Sequence, residues 1–290
     1  MRPMNRLSAL LALLAMLLPA PVFAAAAATV EAVQSPAWRD RGGMTTPLAA
    51  GMELNSGDTV RTGVGARAYL MLAEGSRVKL GETARFALLS SSLPPEKFFR
   101  GALDVLAGAF RFTTGKFAKA RPRELAIRVG TATVGIRGTD LWGKTDGDGE
   151  LVALLEGRIE ITRAGETTEL AQPWTFFDAP RGKAAEVKAL DPEVFKGLAR
   201  QTEILPGDGA ARTRGKWGVL AAAAASEETA LEAYDKVRGA GFAARIRPRQ
   251  AEGGGWRYEV FLGGFASADE AGVAAARLTA ATGLKPSVGR

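Results

Sequence analysis

Between Gly51 and Leu88 apolar residues recur at every second position in short runs, each closed by a glycine or a polar turn. Met52 and Leu54 alternate ahead of Asn55-Ser56-Gly57-Asp58. Val60, Val64 and the run Ala66 to Leu72 lead into Glu74-Gly75-Ser76, and Val78, Leu80, Phe86 and Leu88 keep the period. A period of two puts alternate side chains on opposite faces of a strand. Turn signals at roughly eight- to twelve-residue spacing then predict an all-β sandwich or a short β-solenoid over residues 45–195. Gly75 and Gly157 fall where two-residue hairpin turns need positive φ.

The period changes at Asp191-Pro192-Glu193, an N-cap followed by a proline at the first helical position. Val194, Leu198 and Ile204 or Leu205 continue at helical spacing. Residues 196–215 include Pro206-Gly207-Asp208-Gly209 and are expected to be a linker. Over residues 216–290 two similar units follow. Ser226-Glu227-Glu228 and Ser267-Ala268-Asp269-Glu270 each open a helix with a serine cap and first-turn acids. Leu231, Tyr234 and Val237 are assigned to the first helix, Val273, Arg277 and Leu278 to the second. Strand-like segments at 217–222, 242–248, 256–262 and 284–288 complete the order βαββαβ. That order predicts a small α+β domain of the RNP/ferredoxin-like kind, an antiparallel sheet with both helices on one face. Arg245, Arg247 and Arg249 alternate, so a strand carries all three on one side, and Pro248 marks either an edge strand or the strand's end. Arg257, Glu259 and Phe261 alternate in the same way against Tyr258, Val260 and Leu262.

Composition removes whole classes of chemistry. The 290 residues contain no His and no Cys. A Ser-His-Asp or Cys-His nucleophile, a His- or thiolate-bound zinc and a disulfide are therefore excluded. Neither a cofactor nor a metal is expected. Arg2 and Arg6 precede the apolar run Leu7 to Leu18 and the small residues around Ala24. This is the pattern of a signal peptide over 1–24, and the run is shorter than the roughly 20 residues a membrane helix needs. The expected compartment is the periplasm, which argues against nucleic acid as a partner despite a formal charge of +7. Asp58 reads as a turn residue, and Asp146, Asp148 and Glu150 as a solvated hairpin tip rather than a calcium loop. Arg111, Lys116, Lys119, Arg121, Arg123 and Arg128 read as an exposed basic loop, and Trp142 and Trp174 as core or rim residues.

The stretch Leu54 to Gly63, the run Ala66 to Ser76, Val134-Gly135-Ile136-Arg137-Gly138-Thr139 and Leu154 to Ile161 together resemble the FecR domain. That resemblance implies an all-β periplasmic module used in signalling or protein contact, not an enzyme. The last 75 or so residues resemble the SPOR family through the paired helix starts, Gly241-Phe242 and the run Trp256 to Ser267. Members bind peptidoglycan glycan strands stripped of stem peptides. Lactyl carboxylates would suit arginines, and sugar faces would suit aromatics. The resemblance implies a glycan site at Arg245, Arg247, Arg249, Arg257, Phe261 and Trp217. Ala221 to Ala225 and Glu259 depart from the family's pattern. The expected function is a non-enzymatic cell-envelope binding protein whose β domain contacts a protein or polymer. The alternative is a periplasmic regulatory ectodomain that senses an envelope partner without binding glycan.

Overall fold

The computed structural model describes residues 26–91, 99–115, 123–136, 138–251 and 253–290. The expected signal peptide, Lys116, Lys119, Arg121 and Arg137 lie outside them. Among the described residues, seventeen strands build two facing sheets. In one, β4 (Glu53–Leu54) and β6 (Arg67–Leu72) flank β1 (Ala28–Gln34). The order continues through β7 (Arg77–Leu80), the second half of β9 (Phe99–Thr113), β12 (Asp140–Asp146), β13 (Gly149–Glu156), β16 (Thr175–Pro180) and β17 (Glu186–Ala189). The other runs β3 (Met44–Pro47), β2 (Ala37–Arg41), β5 (Thr59–Thr62), β8 (Arg85–Ser91), the first half of β9, β10 (Arg123–Val129), β11 (Ala132–Ile136), β14 (Ile159–Arg163) and β15 (Glu166–Leu170).

Strand β9 belongs to both sheets, and the bend is at Gly108, where φ is +85° and a side chain would meet the Ala84 backbone. Between the sheets lies a core that includes Phe86, Phe110, Phe112, Leu125 and Ile127, all essentially fully buried. The sandwich, one of the two expected architectures, begins at Ala28, ahead of residue 45.

Several local expectations change. Gly157 has φ +90°, as a turn requires, yet β13 and β14 are not paired: the turn is a corner carrying the chain from one sheet to the other. A glycine is needed because the corner packs against the Gly138 backbone. Arg111 and Arg128 are strand residues rather than loop residues, in contact with Asp140 at 2.8 Å and Asp104 at 3.4 Å. Asp58 is buried, accepting from the Asn55 backbone N–H and from Arg41 at 2.6 Å. Of the expected acidic tip only Asp146 and Asp148 are exposed. Glu150 turns inward and accepts from Thr131.

Helix α1 (Pro192–Arg200) starts on Asp191, whose side chain accepts from the Glu193 N–H. Its inward residue is Phe195, while Val194 is exposed. Phe195 packs with Trp142, Ala153 and Leu190 on the outer face of the first sheet. The segment expected to be a linker then continues across that same face as a packed strap. Glu203 is held by Lys79 at 2.6 Å, Tyr69 at 2.9 Å and Arg111 at 3.3 Å, and Ile204 and Ala210 bury against Ala32 and Tyr69. The strap ends in β18 (Ala211–Arg212), which pairs with β1 on one side and β21 on the other.

The remaining elements are β19 (Trp217–Ala224), α2 (Glu227–Gly239), β20 (Arg245–Gln250), β21 (Trp256–Phe265), α3 (Ala268–Thr282) and β22 (Ser287–Gly289). They form the antiparallel order β20–β21–β19–β22, with β20 at one edge. Ser226 and Ser267 cap the helices as expected, and Gly283 closes α3 at φ +71°. The helices bury alanines above all: Ala230 and Val237 from α2, and Ala271, Ala274, Ala275 and Leu278 from α3, against Val219, Val260, Leu262 and Phe265. Leu231 is exposed.

Candidate functional site

Register decides which side chains share the face of the β20–β21 pair that the helices leave uncovered. Arg245, Arg247 and Arg249 stand opposite Phe261, Glu259 and Arg257, so all six point to that face, while Ile246 and Tyr258 pack on the helix side. The four arginines are not equivalent. Glu259 bonds Arg257 and lies 3.6 Å from Arg249, so these two share one carboxylate.

Arg247 stacks on Phe261 with its guanidinium carbon 3.6 Å from the ring centroid. Beneath the ring lie Gly218 and Gly263, and a side chain on Gly218 would occupy the ring's own position. The aromatic face expected to receive a sugar thus carries a guanidinium, which leaves that cation's in-plane N–H groups as donors. Partial burial and the neighbouring charges of Arg249 and Arg245 hold the Arg247 pKa below its ordinary value. Along β19 the same face is low, formed by Gly218, Leu220 and Ala223.

Trp217 does not join this group. It pairs with Phe265 and packs on the helix-side core, with Arg290 4.7 Å from its ring. It shares that side with Val219, two residues on, and the register shift between Trp217 and Gly218 falls at Gly264 of β21.

The structure adds three arginines that sequence reasoning missed. At the start of β20 the open face runs into a cleft between the β sandwich and the C-terminal domain. Arg212, Arg238, Arg245, Arg247 and Arg277 line it, and residues 46–50 form part of the opposite wall. Arg277 donates to the backbone carbonyls of Gly65 at 2.8 Å and Ser35 at 3.4 Å, and burial lowers its pKa. Nearby, Gly241 abuts the Trp38 ring, where a Cβ would come within 2.5 Å, and its carbonyl accepts from the Ala37 N–H. Nothing local in the sequence pairs α3 with residues 35 and 65, so this site had no linear signal.

Among known proteins, the family described as FecR protein matches residues 58–160, and the SPOR domain family matches residues 213–289. No curated protein matches the chain. Two crystal structures from Parabacteroides distasonis ATCC 8503, each described as a candidate anti-sigma factor, are similar. One has 13% identity and a TM-score of 0.40 over 49% of this chain, which spans 63% of that structure's length. The other has 14% identity and a TM-score of 0.39 over 67% of this chain and 95% of that one. The chain carries a FecR domain at residues 58–160, followed by a SPOR domain at residues 213–289.

Proposed function

We propose that this is an exported, non-enzymatic cell-envelope protein whose SPOR domain binds peptidoglycan glycan strands on the open face of β20 and β21. The observation that carries the reading is the row Arg245, Arg247 and Arg249 on one face of an edge strand. Glu259 contacts only Arg249 of the three. Guanidinium groups in such a row form charge-assisted hydrogen bonds to carboxylates spaced along a polymer. The FecR domain supplies contacts to a protein or polymer of the envelope, and the compartment is the periplasm. Among the described residues no helix is long and apolar enough to cross a membrane.

The test is co-sedimentation of the whole chain with purified sacculi before and after amidase removal of stem peptides. Pelleting is expected to rise after amidase treatment, and replacing Arg245, Arg247 and Arg249 by Ala should cut it about tenfold or more. Absence of pelleting in both preparations removes the glycan reading. It would favour the second reading, a regulatory ectodomain, which the FecR match supports.

A further inference from the structure

The cleft between the two domains measures about 470 Å³, within the roughly 300–1,000 Å³ of ordinary ligand sites. Its charge is one-sided: five arginines line it and no carboxylate does. Among the described residues none of the five has a carboxylate within ion-pair distance. Arg238 lies over the Tyr234 ring and Arg247 over Phe261, Arg277 is tied only to backbone carbonyls, and Arg212 and Arg245 have no side-chain partner. Gathering like charges in a partly buried space costs free energy unless an anion offsets it. Elsewhere three half-buried arginines have carboxylate partners: Arg41 with Asp58, Arg61 with Asp40 and Arg111 with Asp140, while Arg39 and Arg67 bond neutral groups.

Two of the five, Arg245 and Arg247, also belong to the open face, so face and cleft form one continuous basic surface. We infer that the glycan site is composite: a strand lying on the SPOR face enters the cleft, where a carboxylate-bearing sugar unit is bound by Arg238 and Arg277 against the wall at 46–50 of the β sandwich. The β sandwich is then half of the glycan receptor. This inference rests on the glycan reading above and adds a second wall, a second set of cations and a limit on what fits.

The experiment measures binding of amidase-stripped, enzymatically shortened glycan oligosaccharides to the whole chain by titration calorimetry, with the same oligosaccharides methyl-esterified as the second probe. Arg238→Ala removes a side chain that rests on the Tyr234 ring and leaves the fold intact, and Ala50→Trp fills the cleft from the sandwich side. Each is expected to weaken binding about tenfold. Esterification should cost the Arg238→Ala variant less than it costs the unmodified protein, because the two changes remove one interaction. Three outcomes overturn the inference. Both variants could bind within about twofold of the unmodified protein while the Arg245, Arg247 and Arg249 triple variant loses binding, which leaves the SPOR-face reading standing. Esterification could cost both proteins equally, with the same consequence. Absence of binding by the unmodified protein removes both readings together.

Discussion

Gly218 is where one missing side chain decides the character of the candidate site. The Phe261 ring fills the space its Cβ would take, and Arg247 closes over the ring. Gly218→Ala should therefore displace both and destabilise the SPOR domain by about 1–3 kcal/mol, the usual range for overpacking. Denaturant unfolding of the whole chain reads that cost, and a change below about 0.5 kcal/mol would mean the ring has another resting place. At this scale the sequence was readable wherever alternation held. Arg245, Arg247, Arg249, Arg257 and Phe261 share a face because strict alternation requires it. Trp217 was assigned through the family resemblance rather than through alternation, and alternation with Val219 puts it on the helix side.

Among the elements, the strap from α1 to β18 differs most from its expectation. Glycine and proline between Pro206 and Gly209 suggested a flexible connection, but neither residue type reports what its neighbours touch. Glu270, the residue three beyond the Ser267 cap of α3, accepts from the Gly207, Gly209 and Ala210 N–H groups and fixes the turn. Upstream, Glu203 anchors the strap. Burial alone would raise its pKa, but hydrogen bonds from Lys79 and Tyr69 and the charge of Arg111 outweigh burial and hold it below 4.5. Tyr69 beside it is pushed up to about 12, mainly by burial, and stays neutral.

A carboxylate whose folded pKa is lowered binds protons less readily in the folded than in the unfolded chain. Its stabilisation is full above the ordinary value and is lost as pH falls through the folded value. Glu203→Gln should cost about 1–3 kcal/mol at pH 7, and the gap to the unmodified protein should shrink below about pH 4.5. Urea midpoints across pH 3–7 measure it, and a gap that does not vary with pH would assign the anchoring to shape rather than charge. Phe195 gives the same lesson in apolar form. Val194 and Leu198 lie at helical spacing in the sequence, yet only Leu198 joins Phe195 on the inward side, and that choice depends on Trp142 and Ala153, distant in the chain.

For the whole molecule, both domain types were legible because each rests on local periodicity, whereas their docking rests on pairs far apart: Arg277 with Gly65, Gly241 with Trp38, β18 with β1. Two domains on a slack tether unfold independently. Here the strap packs on one domain and shares a ladder with both, so calorimetry of the whole chain should show one transition. Glu270→Ala, which frees residues 207–210, should separate the SPOR domain as an earlier one. Two well-resolved transitions in the unmodified protein would contradict the coupling.

The strap also bears on inheritance. A gene rearrangement that carried only residues 58–160 to a new host would leave β5 and β6 without β2 and β1, and β13 without β16. Trp142 and Ala153 would lose their cover of Leu190 and Phe195, baring apolar surface of the kind that drives aggregation. The segment that can change hosts intact is the longer one, from β1 through the strap, and a partner domain that follows it must offer an edge that β18 can join.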